Sequence, residues 1–273
     1  MSPILMQDII QIESPRNYKL HLACEDTDGT KPLDVFVRSP EEWLAWNEYR
    51  GRRNDWTRDY ILALIEFYHR TDEWLFGGIF KVTERLRDKY RLQQRPESVK
   101  YVGRLIVGFH RYQGMRGRAF YLEKYIDKFE VKEVLPNAYD GEAFCGPAKI
   151  DHDFNVLEPI FRNGKVDWKS ALEGINGVYV IFDKETGKKY VGSAYGEGGI
   201  WSRWLCYIET GHGGNDELTK LIKQKGVDYA RKNFKFSLLE RMDVTIPKDE
   251  ILARESYWKG VLLAVGEFGY NEN

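Results

Sequence analysis

The chain has 273 residues, which is long enough for two domains that each have a hydrophobic core. Hydrophobic residues make up 42% and charged residues 30%, a composition typical of a soluble globular protein. The formal net charge of −1 excludes nucleic-acid binding by overall charge, so any contact with phosphates needs a local basic patch.

The cysteines and the N-terminal segment bear on the compartment. Cys24, Cys145 and Cys206 lie far apart and form no CxxC or Cys/His zinc spacing. An odd, scattered set is typical of reduced thiols, so we expect a cytoplasmic protein. The N-terminal segment has no basic region and only a short apolar run, so no signal peptide is expected. No stretch approaches the ~18 apolar residues of a membrane span.

The first elements have β patterns. Residues 18–23 alternate between apolar and polar side chains, and Asp28 and Gly29 indicate a turn. Residues 33–37 then resume a β pattern, so we predict two strands joined by a short connection.

Two helices are predicted next. Ser39 is suited to cap the first helix, with Pro40 at its first helical position and glutamates in its first turn. Apolar residues recur at helical spacing over residues 60–68, which predicts the second helix.

The chain then returns to short strands. The strand predicted at residues 74–82 contains a glycine pair, which indicates a bulge or the close approach of another strand or a ligand. Further strands are predicted at residues 102–109 and 129–135. Together these elements favour an α+β domain built on a curved sheet or small barrel. The pattern loosely resembles the barrels of the PUA/EVE-like superfamily, some of which read modified bases in nucleic acids.

Arginines and tryptophans of this half allow two interpretations each. The arginines in polar or glycine-rich loops either contact phosphates or belong to solvated surface loops. They are Arg50, Arg52, Arg53, Arg111, Arg116 and Arg118. The tryptophans of this half either form a pocket for a flipped or stacked base or pack in the core, and core packing is the favoured alternative. They are Trp43, Trp46, Trp56 and Trp74.

No low-complexity linker separates the two halves. A turn at Asn163 and Gly164 places the predicted boundary between a DNA-recognition domain at residues 1–160 and a second domain at residues 165–273. A short helix is expected to open at Asp167 and to lead into the next strand.

Residues 177–192 predict a β-hairpin with a tyrosine on each arm. A buried strand with the sequence Gly-Val-Tyr-Val-Ile-Phe is followed by the turn chemistry of residues 183–187 and a second strand that ends in Tyr-Val-Gly. The tripeptides at residues 177–179 and 190–192 resemble the two signature tripeptides of the GIY-YIG nucleases, with Val in place of Ile in both. The resemblance implies a small antiparallel sheet flanked by helices and a nuclease activity.

The helix that follows carries Arg203 and Tyr207, which are four residues apart and share a face. In the GIY-YIG family an arginine at this place, with a Tyr or His one turn later, faces the scissile phosphate. The planar guanidinium suits this task because it can contact a phosphate with two parallel hydrogen bonds. The glycine-rich loop around His212 is either part of the site or a simple end to the helix.

The last helix has one apolar face that is interrupted by Glu255. Ile251, Trp258 and Leu262 share that face with it. A carboxylate in an apolar stripe is costly unless it is paired or binds a metal, so either a metal ligand or a structural Glu–Arg pair is expected. The family has its metal-binding glutamate on such a helix, and the resemblance favours the metal.

The resemblance also implies a set of roles. The matched positions are Tyr179, Tyr190, Arg203, Tyr207, Glu255 and Asn271. Glu255 is expected to hold Mg²⁺ and Arg203 to stabilise the phosphate, while Tyr179 is our choice of general base. Tyr190 and Tyr207 would orient water and phosphate, and Asn271 would hold the site together. A lowered pKa of Tyr179 was expected from Arg203 or from nearby lysines, and additional DNA contacts are expected from Lys188, Lys189 and His212.

The predicted function is therefore that of a metal-dependent DNA endonuclease with a restriction or defence role. Its first domain is expected to read the DNA target, and a modified base is one candidate target. Double-stranded DNA is the expected partner, and a homodimer stays open because two strands must be cut. A repair or mobile-element endonuclease is the alternative within the same chemistry. A DNA-binding module that does not cleave is the alternative from another class.

Overall fold

The computed structural model describes residues 2–272, and the chain divides into two compact units, Met1–Tyr139 and Asp140–Asn273. The boundary predicted at residues 160–165 therefore lies inside the second unit. The reason is that residues 151–153 form a strand that pairs with residues 235–237, and the helix after that strand packs in the core of the same unit. Neither element was visible in the sequence as a part of the second domain.

The N-terminal unit is an α+β fold with a seven-stranded sheet. Its elements are α1 (Met6–Ile9), β1 (Tyr18–Ala23), α2 (Pro32–Arg38), α3 (Pro40–Glu48), β2 (Tyr60–Glu66), β3 (Glu73–Arg85), β4 (Tyr90–Gln94), β5 (Leu105–Gly108), β6 (Ala119–Tyr121) and β7 (Glu130–Val134). The strand order is β6-β1-β2-β3-β5-β7, with β4 paired to β3, and the sheet curls into a half-barrel. The expected curved sheet is thus confirmed.

The helix predicted at residues 60–68 is wrong, because these residues form the central strand β2. Both faces of β2 are buried, and alternate residues enter different cores. Leu62 and Leu64 pack on one side of the sheet, whereas Ile61, Ala63 and Ile65 pack on the other. A strand that is buried on both faces has no alternation between polar and apolar residues, so its apolar run also fits a helical spacing.

The strand predicted at residues 33–37 is also wrong, because this segment is the helix α2 with Pro32 in its first turn. Strands β1 and β2 are parallel, and parallel neighbours need a crossover connection, which α2 and α3 provide. The predicted start of α3 is confirmed, since the side chain of Ser39 accepts a hydrogen bond from the Glu42 N–H at 3.2 Å.

The glycine pair of β3 forms the predicted bulge. Gly78 lies opposite Ala63 and Phe76 lies opposite Leu64, so Gly77 is the extra residue. A Cβ at Gly77 would lie 2.6 Å from the ring of Trp43, whose indole N–H donates to the Gly77 carbonyl at 2.9 Å. The glycine therefore allows α3 to pack directly on the sheet.

The C-terminal unit is a four-stranded antiparallel sheet flanked by helices, as predicted. Its elements are β8 (Asp151–Asp153), α4 (Phe154–Arg162), α5 (Val166–Glu173), β9 (Asn176–Asp183), β10 (Lys189–Ala194), α6 (Gly199–Thr210), α7 (Asp216–Lys225), α8 (Val227–Asn233), β11 (Phe234–Met242) and α9 (Lys248–Val261). The order is β10-β9-β11-β8, so the predicted hairpin forms one edge of the sheet. Across residues 2–272, the helices are too short or too polar to cross a membrane.

Strand β9 positions the site because its two faces enter different cores. Tyr179 and Ile181 belong to the large core that α4, α5 and α6 cover. Val178 and Val180 face the opposite side, where Trp258 of α9 packs against them. The sheet therefore lies between α6 on one face and α9 on the other, and the side chains of both helices reach the β9–β10 hairpin.

Gly177 is expected to be required for the pairing of β9 with β11. A Cβ at this position would lie 2.1 Å from the carbonyl oxygen of Glu240, at the bulge of β11, and no side-chain movement can relieve a contact with backbone. Gly177→Ala should lower the free energy of unfolding in urea by about 1–3 kcal/mol. Gly174→Ala is the matched control, since a Cβ there has no atom within 4 Å, and equal losses in both variants would contradict the prediction.

Candidate active site

The β9–β10 hairpin, the start of α6 and the helix α9 surround a cavity of about 580 Å³. Tyr190 and Ser193 of β10 line it, together with Glu197 of the following loop. Arg203 of α6 and Glu255 of α9 complete its polar lining. The structure thus brings three of the predicted site residues to one cavity, although they are distant in the chain.

Arg203 is fixed by three hydrogen bonds. Its Nε donates to the Tyr179 hydroxyl at 3.1 Å, and Nη2 donates to the Tyr207 hydroxyl at 3.0 Å. Its Nη1 donates to the carbonyl oxygen of Gly213 at 2.8 Å. A guanidinium has five N–H groups, so two remain for a ligand in the cavity as far as the described residues show.

The glycine-rich loop after α6, for which the sequence allows either a part of the site or a simple end to the helix, supplies one of these three acceptors. Gly211 ends α6 in the left-handed conformation with a φ of +78°, and the chain turns back toward Arg203. A Cβ at Gly213 would lie 2.5 Å from the ring of Tyr207, so the glycine lets the loop lie directly on that ring.

The glycine of the second tripeptide has a similar role. Gly192 lies opposite Tyr179 in the β9–β10 pair. A Cβ at Gly192 would lie 2.6 Å from the Tyr179 hydroxyl, so only glycine leaves room for this ring to lie across the neighbouring strand. This contact explains why the hairpin needs a tyrosine on one arm and a glycine directly opposite.

The two tyrosines below Arg203 are fully buried. Burial raises the pKa of Tyr179, and the nearby Tyr190 adds to this effect, whereas Arg203 opposes it only in part. Burial also raises the pKa of Tyr207 well above its usual value. The expectation that neighbouring cations lower the pKa of Tyr179 is therefore wrong for this arrangement. Both phenols stay neutral and act as hydrogen-bond partners of Arg203.

Arg203 keeps its charge in this setting. Burial lowers the pKa of its guanidinium, but Tyr179 and Tyr207 raise the pKa by more, and the net direction is upward. A charged arginine at a cavity wall is a strong partner for an anion.

Glu255 also lines the cavity, and its side chain is only 14% exposed. Its Oε1 forms an ion pair with Lys259 at 2.9 Å, and the Ser193 hydroxyl donates to Oε2. Among residues 2–272, the structure shows no arginine paired with Glu255, and the neighbouring Arg254 pairs with Glu240. Lys259 is the cation at Glu255 instead.

Asn271 supports the site from the outer edge of the sheet. Its Oδ1 accepts the Val191 N–H at 2.9 Å, and its Nδ2 donates to the Val191 carbonyl at 2.8 Å. Strand β10 is an edge strand, so the amide satisfies backbone groups that would otherwise lack a strand partner. The preceding Tyr270 donates to the buried Asp183, which also accepts from Tyr229 at 2.8 Å.

The remaining predicted residues of this unit lie outside the cavity lining. The ammonium of Lys188 lies over the ring of Tyr270 at 5.6 Å, and Lys189 pairs with Phe182 in the hairpin. His212 accepts the Gly214 N–H at 3.0 Å, so its observed role is to shape the loop after α6.

The predicted basic residues of the N-terminal unit fall into two groups. Arg52, Arg53 and Arg116 are exposed. Arg111 and Arg118 are half-buried: Arg111 donates to two carbonyls of its own loop, and Arg118 pairs with an aspartate at 3.1 Å. Arg50 donates to the carbonyl of residue 86.

Most of the tryptophans considered as a base pocket belong to the core. Trp43, Trp56 and Trp74 are at most 4% exposed, which confirms the core-packing alternative for them. Trp46 instead lines a second cavity of about 690 Å³, together with His21, Tyr49, Arg111 and Arg118. This cavity combines aromatic rings with two arginines, and the carboxylates of Glu25 and Asp26 also line it.

His21 in this second cavity has a defined tautomer. The Asn47 amide donates from Nδ2 to the Trp43 carbonyl at 2.8 Å, so its Oδ1 faces the His21 Nδ1 at 2.8 Å. His21 Nδ1 therefore carries the hydrogen and Nε2 is an acceptor, which has no hydrogen-bond partner among the described residues. Burial lowers the pKa of His21 to about 3, so the ring is neutral.

The donor set of the first cavity fits a cation that keeps most of its water. Residues 2–272 contain no group of three or more His, Cys, Asp or Glu side chains that could hold a metal ion. Glu255 offers one carboxylate beside the hydroxyl of Ser193, and hard oxygen ligands in small number suit Mg²⁺, which is completed by water and substrate phosphate.

Sequence reasoning missed three residues of the site. Lys259 was detectable, because it is four residues after Glu255 and therefore on the same helix face. Ser193 follows the second tripeptide and shares a face of β10 with Val191, but serine carries no specific signal. Gly213 accepts a hydrogen bond from Arg203 through its backbone carbonyl, and a pattern of side chains does not predict a backbone acceptor.

Comparison with known proteins gives limited matches. No protein-family model matches the chain, and no curated protein matches it. Among solved structures, the catalytic domain of homing endonuclease I-TevI is 30% identical, with 36% of this chain and 98% of that domain covered and a TM-score of 0.28. A mutant of the catalytic domain of intron endonuclease I-TevI is 28% identical, with 36% and 94% covered and a TM-score of 0.28. At that TM-score these likenesses decide nothing here, and function is inferred from the side chains of the site.

Proposed function

We propose that this protein is a metal-dependent DNA endonuclease and that its active site is the cavity between the β9–β10 hairpin, α6 and α9. The observation that carries the proposal is a guanidinium held rigidly by Tyr179 and Tyr207 at the wall of a cavity that also contains Glu255. An arginine with two unused N–H groups and a carboxylate across a cavity are the parts that hydrolysis of a phosphodiester needs.

The residues divide the work as follows. Arg203 binds the scissile phosphate and neutralises the charge that grows on its oxygens during attack by water. The phenols of Tyr179 and Tyr207 do not titrate, because burial raises their pKa, and they hold the guanidinium in place. Their bonds remove the reorganisation that a flexible arginine would need in the transition state.

Tyr190 is the proposed general base in place of Tyr179. Among the tyrosines of the site, Tyr179 and Tyr207 are completely buried, whereas Tyr190 is 8% exposed and lines the cavity. A group that takes a proton from the attacking water must be within reach of that water.

Glu255, oriented by Ser193, would hold Mg²⁺. When bound, Mg²⁺ would supply positive charge to the phosphate and to the leaving oxygen.

Cleavage of plasmid DNA is the direct test. The wild type should cut with Mg²⁺ and not with EDTA. Glu255→Ala should lose cutting, and Arg203→Lys should lose about 10²–10³ in kcat because a lysine cannot reproduce the fork of hydrogen bonds. Glu250→Gln is the matched control, since Glu250 is an exposed carboxylate on the same helix. No cutting of any DNA, with binding intact in all variants, would leave the non-cleaving DNA-binding module as the better function.

The choice of base predicts different effects of removing single hydroxyl groups. Tyr190→Phe should lower kcat by about 10²–10⁴ and leave the affinity for DNA unchanged, because general bases contribute in this range. Tyr179→Phe removes a support of Arg203 and should instead reduce both kcat and DNA affinity. Single-turnover cleavage and a binding titration separate the two effects, and a larger loss of kcat in Tyr179→Phe would reverse the assignment.

The N-terminal unit is proposed to read the DNA target, which favours a restriction or defence role over repair or mobile-element cleavage. The observation in its favour is the cavity around Trp46. Aromatic side chains there offer a stacking surface for a base, and Arg111 and Arg118 supply positive charge. A modified base is the ligand that we propose for this cavity.

The reading role predicts that Trp46→Ala loses discrimination between DNAs. Binding of plain, methylated and hydroxymethylated DNA should differ for the wild type, and the preferred DNA should bind at least about tenfold more weakly to the variant, because stacking of one base is worth ~1–3 kcal/mol. Tyr112→Ala is the control, as Tyr112 is 43% exposed in the same unit and outside the cavity lining. If Trp46→Ala keeps the preference of the wild type among these DNAs, this cavity does not take part in DNA recognition. The nuclease proposal would be unaffected by that result.

A further inference from the structure

Glu255 is already paired with a cation of the protein itself. Lys259 lies one turn further along α9, and its ammonium is 2.9 Å from Oε1 of Glu255. The two side chains are only 19% and 14% exposed, so solvent screens the pair less than it would an exposed one. Ser193 donates to the other carboxylate oxygen, and both oxygens of Glu255 are therefore engaged.

This pairing conflicts with binding of a divalent cation to the free protein. A metal at Glu255 would have to displace Lys259 or share the carboxylate with it, and two cations at one carboxylate repel each other strongly where water is scarce. The charged residues of the cavity lining are Glu197, Glu255 and Arg203, and Lys259 pairs with Glu255. Because the ammonium of Lys259 already neutralises the carboxylate of Glu255, this carboxylate offers little net attraction to Mg²⁺ in the free protein.

A DNA phosphate changes this balance. It brings a negative charge and oxygen ligands to the side of the cavity where Arg203 is held. With the phosphate in place, the lining and its ligand together carry net negative charge, and the cation gains ligands that the protein does not provide. Metal and DNA then each raise the affinity for the other by the same factor, as linkage requires.

We propose that Lys259 is a built-in counter-cation of Glu255 that keeps the free site from binding a divalent metal and makes metal binding depend on bound DNA. The proposal rests on the function inferred above and concerns the regulation of the same site. Its consequence is that the protein does not assemble a complete catalytic site unless a phosphate is present. Lys259 acts through Glu255 and is a positioning residue, not a group that touches the reacting atoms.

Binding of Mn²⁺ to the full chain tests the proposal without any turnover. Mn²⁺ prefers the same oxygen ligands as Mg²⁺, and the electron paramagnetic resonance signal of the free ion reports how much is bound. Lys259→Met keeps most of the length of the side chain and removes its charge, so Mn²⁺ should bind about tenfold more tightly than to the wild type in the absence of DNA. Lys259→Gln provides a second neutral variant, and Lys259→Arg, which keeps the charge, should resemble the wild type.

Addition of an uncleavable phosphorothioate duplex completes the test. The duplex should tighten Mn²⁺ binding to the wild type, whereas the gain should be smaller for Lys259→Met, whose free site already binds the metal. Lys248→Met is the matched control, because this substitution removes an equal charge from the same helix. The ammonium of Lys248 lies over the ring of Tyr195 at 4.7 Å and is not paired with Glu255. Its free affinity for Mn²⁺ should stay that of the wild type.

Failure of this inference is distinguishable from failure of the proposed site. If Glu255→Gln loses Mn²⁺ binding in the presence of the duplex, while both neutral variants of Lys259 bind Mn²⁺ without DNA no more tightly than the wild type, the counter-cation role is overturned and the metal site stands. If Glu255→Gln binds Mn²⁺ in the presence of the duplex as the wild type does, the metal does not lie at Glu255, and both proposals fall. An equal gain in Lys248→Met would show a general charge effect and would also overturn the role of Lys259.

Discussion

The hydrogen bonds of Arg203 are the interaction on which the site depends. They join β9 through Tyr179, α6 through Tyr207 and the loop after α6 through Gly213. A half-buried guanidinium is tolerated only when its N–H groups have acceptors, and two phenols and a carbonyl fill that need without a carboxylate. No carboxylate of residues 2–272 is seen to pair with Arg203, which leaves its positive charge for a ligand. The same bonds fix three segments relative to one another.

A second constraint is the exposed edge of the sheet. Strand β10 carries Tyr190 and Ser193, yet it has a strand neighbour on one side only. Asn271 supplies a donor and an acceptor to Val191 on the other side, and Tyr270 anchors this segment to the buried Asp183. An edge strand without such a partner can slip or pair with other chains. The side chains of the cavity thus have a fixed register along β10.

The sequence identified the site better than it identified the first unit. The hairpin, the helix face shared by Arg203 and Tyr207, and the carboxylate on the apolar face of α9 depend on local spacing, and local spacing survives folding. The segment 60–68 was misread because it is buried on both faces, so its periodicity carried no information. Segment 33–37 was misread because the parallel pairing of β1 and β2, which demands helices between them, is not visible in either segment alone.

Local sequence pattern shows which residue types are available for chemistry and which of them share a strand or a helix face. The protonation and hydrogen bonds of these side chains depend on the folded chain. Burial raises the pKa of Tyr179 and keeps it neutral, and the return of the loop after α6 makes the carbonyl of Gly213 a partner of Arg203. The pairing of Glu255 with Lys259 and Ser193 likewise depends on how closely α9 packs against β10. Protonation and hydrogen bonding depend on distance and on exclusion of water, and both are set by contacts between segments that are far apart in the chain.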